Sequence, residues 1–303
     1  MEKPSILHLF TAAKNASPFD VNMAYDAGFD KIMPYTSVDL SEVAGLTQDA
    51  IFSRSPSGVR REGIFIGGRD IDLAMDMLGA AKKSMFAPFA CSVFADPSGA
   101  FTTAAAMIAK VEAHLQKNFA TGLDGKTLSV FGATGPVGGC AAIIAALQGA
   151  KVQLVAHNAL ARVEAKAIAW NARYQVNMQA IDGSTDAAKA DVLAHSDIAI
   201  CAAAAGVQVI SHEQLAQAGQ LKIVADVNAV APNGAQGVDA GHDGVLVAGT
   251  AIYGIGALAI GQLKYATQHQ LLKQMLPAGE EKPKYLEFTA AFNLARALLK
   301  NQS

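Results

Sequence analysis

Short apolar runs alternate along this chain with longer stretches whose apolar positions recur every three or four residues, the rhythm of strand followed by helix. In the first part the predicted strands are SILHLF (5–10), KIMPY (31–35), GIFIGG (63–68) and CSVFAD (91–96). A second series runs through TLSVFGA (127–133), KVQLVAH (151–157), NMQAID (177–182), DIAICAAA (197–204) and KIVADVN (222–228). Helical stretches such as TTAAAMIAKVEAHLQKN (102–118) and LARVEAKAIAWNARY (160–174) separate them. Successive strand–helix units build a mainly parallel sheet, so the predicted class is α/β with two βα-type domains and a cleft between them.

The helix starts carry recognisable chemistry. Ser17 is placed to cap, Pro18 suits the first helical position, and Asp20 lies in the first turn, where the helix dipole favours a carboxylate. FATGLDGK (119–126) reads as a connection between domains. The polar break PAGEEKP then precedes a tail with apolar residues at helical spacing, too short to stand alone and expected to return to the first domain. The expected division is 1–120 plus about 278–303 for the first domain and 121–277 for the second.

Composition narrows the function classes. With 303 residues, 17% of them charged and a formal net charge of −2, the chain lacks the basic footprint of a nucleic-acid binder, and a small-molecule partner is expected. Cys91, Cys140 and Cys201 are far apart and in no metal-ligand spacing, which fits free thiols in a reducing compartment and no metal site. The weakly apolar GTAIYGIGALAIG (249–261) falls short of the roughly 20 residues a membrane span needs. No secretory pattern opens the chain, and the expected location is the cytoplasm.

The strand TLSVFGA runs into ATGPVGG, which places Gly132, Gly135 and Gly138 between a strand and a helix. Glycines here permit a tight turn, close approach of backbone amides to a pyrophosphate, and close helix–strand packing, with Thr134, Pro136 and Val137 lining the same turn. The second domain is therefore expected to be a Rossmann-like parallel sheet holding a dinucleotide. An NAD-selective site carries a carboxylate at the end of the next strand; here stand His157 and Asn158, with Arg162 a turn later, which admits NADP and leaves NAD open. Ala203 and Ala204 after the fourth strand, and Asp226 and Asn228 after the fifth, stand at further strand ends expected to face the cofactor.

The stretches SPFDVNMAYDAGFD, LTQDAIFSR, GIFIGG, SVFADPSGAFTTAAAM, FGATGPVGG, ADVNAVAP and GIGALAIGQLKYATQHQL span nearly the whole chain in order. Together they resemble the NAD(P)-dependent methylene-tetrahydromethanopterin dehydrogenases of methylotrophic bacteria. The resemblance implies oxidation of 5,10-methylene-tetrahydromethanopterin to the 5,10-methenyl cation by hydride transfer to NADP or NAD, within one-carbon metabolism and formaldehyde oxidation. It further implies Asp20 and Lys264 as catalytic residues, Phe19, Thr102, Thr103 and Lys264 as pterin contacts, and a homo-oligomer, a trimer or a multiple of one. Read without the resemblance, Phe19 is a core aromatic, Lys264 a surface cation, and Thr102 and Thr103 are helix caps.

Two other readings stay open at this stage. Methylene-tetrahydrofolate dehydrogenase shares the reacting one-carbon bridge, although the Tyr-x-x-x-Lys pair of its companion cyclohydrolase is missing at both Tyr25 and Tyr35. A non-catalytic NAD(P)-sensing protein would share the glycine loop.

Overall fold

In the computed structural model, which describes residues 4–277 and 282–301, the predicted rhythm closes into two sheets. Most of PAGEEKP lies outside the described residues. The chain divides into two units, Met1–Thr102 with Tyr265–Leu294 and Thr103–Lys264 with Ala295–Ser303.

The first sheet begins with β1 (Ile6–Phe10), α1 (Pro18–Ala27), β2 (Lys31–Tyr35), α2 (Val43–Phe52), α3 (Pro56–Val59), β3 (Glu62–Ile66), α4 (Ile71–Lys83) and β4 (Ser92–Ala95), followed by α5 (Ala100–Phe119). The chain then enters the second sheet through β5 (Thr127–Phe131), α6 (Pro136–Leu147), β6 (Lys151–Ala156), α7 (Leu160–Tyr174), β7 (Met178–Asp182), α8 (Asp186–Ala194), β8 (Ile198–Cys201), α9 (His212–Gln217), β9 (Ile223–Asp226), β10 (Asp243–Leu246) and β11 (Tyr253–Ile255). It closes with α10 (Ala257–Met275), β12 (Tyr285–Leu286) and α11 (Phe288–Lys300).

All pairings in the first sheet are parallel, in the order β12-β4-β3-β1-β2. Its middle strands are mostly apolar, with Leu7, Leu9, Ile64, Phe65 and Ile66 buried, as a parallel sheet covered on both faces requires, although β1 carries His8 and β3 opens on buried Glu62. Strand order reverses between β1 and β3, so the loops after these neighbours diverge and leave a crevice at their carboxyl ends.

The second sheet runs β10-β11-β9-β8-β5-β6-β7, parallel except where β10 pairs antiparallel with β11 at one edge. From β7 to β11 this is the doubly wound order of dinucleotide-binding domains, with its reversal between β5 and β8. Tight helix–helix packing is visible at Gly139 of α6, where a built Cβ would fall 2.6 Å from the Cη2 of buried Trp170 on α7. Only a residue without a side chain lets the indole lie there.

Three local expectations change. Ser17 holds the N-cap position of α1 with extended backbone, but its side chain makes no capping hydrogen bond; Pro18 and the first-turn Asp20 carry the helix start instead. Helix α5 begins at Ala100, ahead of the threonines expected to open it. The glycine-rich passage after β9 contains the edge strand β10, whose Gly244 has a φ of +72° and would place a Cβ 2.1 Å from the His114 ring.

That ring takes part in a small charge cluster. Lys110 Nζ donates to Asp243 Oδ2 at 2.7 Å, and His114 Nε2 lies 2.9 Å from Asp243 Oδ1. The His114 hydrogen bond, with the Lys110 ammonium, holds the Asp243 carboxyl down from 3.8 to about 2 against the opposing effect of partial burial. A carboxyl with a depressed folded value contributes stability above its ordinary titration range and loses it as pH falls towards the folded value. Asp243→Asn is therefore expected to lower the melting temperature slightly at neutral pH, because the carboxylate is half exposed and screened. The gap between wild type and variant should close between about pH 4 and pH 2; a gap of constant size across that range in thermal melts would show that the ion pairs contribute nothing.

Candidate functional site

The glycine loop stands at the carboxyl end of β5, at the order reversal of the second sheet. Each glycine has a distinct physical reason. Gly132 has a φ of +83°, and a Cβ there would lie 2.4 Å from the Ala202 carbonyl oxygen on the loop after β8. Gly135 is the extended N-cap of α6 and its amide donates to the Gly132 carbonyl at 3.0 Å. A Cβ on Gly138 would fall 2.4 Å from that same carbonyl oxygen. Pro136, at the first helical position, has no amide to leave unpaired, whereas the amides of Val137 and Gly138 precede the first intrahelical bond, which Gly139 makes to Gly135 at 2.9 Å. The result is a backbone cradle at a helix N-terminus with half-buried Thr134 beside it, a fit for the pyrophosphate of a dinucleotide.

Strand β6 pairs directly with β5, so its carboxyl end adjoins the cradle. His157 and Asn158 leave that end exposed, Ala159 turns the chain with a φ of +50°, and Arg162 is exposed on the first turn of α7. None of these three residues is a carboxylate, while exposed Asp182 at the end of β7 pairs with Ala156, one residue before His157. On the other side of the reversal Ala203 is half-buried and Ala204 exposed.

Asp226 and Asn228 occupy a different place from the one the sequence suggests. Asp226 is 1% exposed, with Oδ1 accepting from the Asn228 amide at 2.9 Å and Oδ2 from the Ala235 amide at 3.0 Å. Burial pushes its carboxyl up, against the amides of Asn228, Ala235 and Gly234 that hold it down. The Asn228 side chain accepts from Gly206 and Val230 and donates to the Pro232 carbonyl at 3.0 Å. Both side chains thus fasten the loops after β8 and β9; they shape the surface beside the cradle from within.

The crevice of the first sheet holds a cavity of about 240 Å³. Ala12 and Ala13 line it after β1, Gly67, Gly68 and Arg69 after β3, and Leu73 from α4. Asp70 caps α4 by accepting from the amides of Asp72 at 2.8 Å and Leu73 at 3.0 Å. Asp20 lies beside the same turn: its Oδ2 is 3.8 Å from the position a Cβ on Gly67 would take. It is 4% exposed, and its Oδ1 accepts a hydrogen bond from Gln268 Nε2 of α10 at 3.1 Å. Its neighbour Phe19 is 46% exposed, so a plain core role is excluded. Lys264 is half-buried and stands one helical turn before Gln268, on the same face of α10.

Thr102 departs from the expected role. It is fully buried and its hydroxyl donates to Asp96 Oδ2 at 2.6 Å, while Asp96 Oδ1 accepts from the amides of Phe101 and Thr102. The pair fixes the start of α5, which is the capping reading. Thr103, next along the helix, is half-buried. Ser98, with a φ of +54°, donates from Oγ to the Gly68 carbonyl at 2.8 Å and ties the turn after β4 to the rim of the cavity. Sequence reasoning missed Asp96, although Asp-Pro-Ser-Gly after a strand is a turn signal that could have found it. It also assigned nothing to Gln268. Among the described residues, no group of three or more His, Cys, Asp or Glu is placed to hold a metal ion, and no helix is long and apolar enough to cross a membrane.

Residues 18–98 match the family model described as methylene-tetrahydromethanopterin dehydrogenase, N-terminal. Over 292 residues the chain is 46% identical to the NAD(P)-dependent methylenetetrahydromethanopterin dehydrogenase of Methylorubrum extorquens, covering 96% of this chain and 97% of that one. The chain belongs to the methylene-tetrahydromethanopterin dehydrogenase family. It is also 32% identical to the bifunctional protein MdtA of the same organism over 275 residues, covering 91% of this chain and 93% of that one. Among solved structures it shares its fold with ornithine carbamoyltransferase from Pyrococcus furiosus, at a TM-score of 0.50 and 10% identity over 92% of this chain and 86% of that one. The segment matched by the dehydrogenase family model opens at Pro18, the first residue of α1, and so takes in Phe19, Asp20 and the cavity-lining turn after β3.

Proposed function

We propose that this chain oxidises 5,10-methylene-tetrahydromethanopterin to the 5,10-methenyl cation, with NADP or NAD as hydride acceptor. The observation that carries the reading is Asp20, a buried carboxylate at the ligand end of the first sheet, held by Gln268 and flanked by the exposed ring of Phe19. When bound, the nicotinamide takes the hydride, that is the methylene hydrogen with its bonding electron pair. What remains for the protein is to orient the pterin, exclude water and stabilise the positive charge that spreads over the two flanking nitrogens.

Asp20 supplies a negative charge in a low-dielectric setting, where it favours the cation over the neutral substrate. Phe19 covers a face of the pterin, and Lys264 donates to a pterin carbonyl from the neighbouring turn of α10. The backbone amides at the start of α6 hold the pyrophosphate, with Thr134 and Val137 alongside, and Ala203 and Ala204 border the cradle. His157, Asn158 and Arg162 meet the 2′ position of the adenosine ribose and, with no carboxylate among them, accept both nucleotides. The same reading makes the enzyme a cytoplasmic homo-oligomer, and light scattering that returned a monomer would contradict its second half.

The direct test mixes the protein with methylene-tetrahydromethanopterin and either nucleotide and follows reduced-nicotinamide absorbance. Turnover supports the reading; nucleotide binding without turnover would reduce the chain to a sensor, and faster turnover of methylene-tetrahydrofolate would change the substrate. Discrimination is expected to move at His157. In His157→Asp a new carboxylate repels a 2′-phosphate but can accept from a ribose diol. At about 4–6 Å and partial exposure, that repulsion amounts to roughly 1–3 kcal/mol. The NADP/NAD ratio of kcat/KM should fall about ten- to a hundredfold. Equal losses for both nucleotides would place His157 away from the 2′ position.

A further inference from the structure

We infer that Gln268 is a positioning residue for Asp20: its side-chain amide fixes the orientation of the carboxylate and holds it still during hydride transfer. The inference rests on the role proposed for Asp20 and adds a residue, contributed from the far end of the sequence, through which that role is exercised.

Gln268 is 0% exposed and Asp20 4% exposed, and the two are 248 residues apart in sequence. Burial of a primary amide is costly unless its polar atoms are bonded, so a glutamine on the buried face of α10 is retained where its donor is used. Its Nε2 reaches Asp20 Oδ1 at 3.1 Å, while Oδ2 of the same carboxylate lies against the Gly67 turn that lines the cavity. One oxygen is thus secured from α10 and the other lies beside the Gly67 turn. An amide donor orients the carboxylate without carrying a charge of its own.

The test is a double-mutant cycle. Gln268→Met keeps length and apolar bulk but removes the donor, and is expected to lower kcat about tenfold while changing KM for pterin and nucleotide less than about twofold, the signature of an interaction felt in the transition state. Gln268→Glu replaces the donor by a second carboxylate and is expected to lower kcat further, by about a hundredfold. In an Asp20→Asn background, Gln268→Met should cost almost nothing more, because the group it positions is gone. Full multiplication of the two losses would overturn the inference, as would a Gln268→Met variant with unchanged kcat. A fall in melting temperature with kcat per folded molecule intact would assign Gln268 to packing alone. An Asp20→Asn variant with normal kcat would instead defeat the reading of Asp20 itself, so the two failures are distinguishable.

Discussion

Asp20→Asn is expected to lower kcat by about a hundred- to a thousandfold with little change in nucleotide KM. The substitution preserves shape and at least part of the hydrogen bonding to Gln268, and removes the charge. A single preorganised group aimed at transition-state charge is worth roughly 3–4 kcal/mol in a site shielded from water, which corresponds to that range in rate. Asp20 is buried at the carboxyl end of the first sheet. The measurement is single-turnover hydride transfer at saturating pterin and nucleotide. A small loss confined to thermal stability would show that Asp20 serves only the dipole of α1, the other role a first-turn carboxylate can play.

For Gly132→Ala the expected outcome is loss of nucleotide use, with kcat/KM falling at least about a hundredfold for NAD and NADP alike. Two independent penalties act at this residue. Its φ of +83° lies where a side chain is strained, and the added Cβ would lie 2.4 Å from the carbonyl oxygen of Ala202, a backbone atom that cannot swing aside. Relief requires the loops after β5 and β8 to part, which opens the cradle. The pyrophosphate is common to both nucleotides, so the effect is blind to the 2′-phosphate, in contrast to His157→Asp. Calorimetric titration with each nucleotide separates the cases: retained affinity for either would mean that the cradle does not hold the pyrophosphate.

Strands β1 to β9 were legible because their runs are largely apolar, and the glycine loop because a strand precedes it and a helix follows. Strands β10, β11 and the two-residue β12 were not. DGVL and YGI are short, interrupted by glycine and set in a glycine-rich passage, so no alternation survives to mark them. Side-chain roles were harder still. Asp226 and Thr102 stand at strand and helix ends that in such folds face ligand, but both turn inwards and spend their oxygens on backbone amides or, for Thr102, on Asp96. Direction of a side chain depends on tertiary packing and leaves no trace in spacing. The bond between Asp20 and Gln268 illustrates the limit, since nothing local links residues 248 positions apart.

The chain has one tryptophan, and it is the indole of Trp170 that lies against Gly139, one residue beyond the last glycine of the cradle. Ultraviolet emission excited at the indole band therefore comes from the second unit alone, while the first unit is optically silent at those wavelengths. Far-ultraviolet dichroism, by contrast, weighs the helices of both. A melt followed by the two signals together gives this protein a built-in test of cooperativity, in which coincident curves mean one transition and displaced curves mean two.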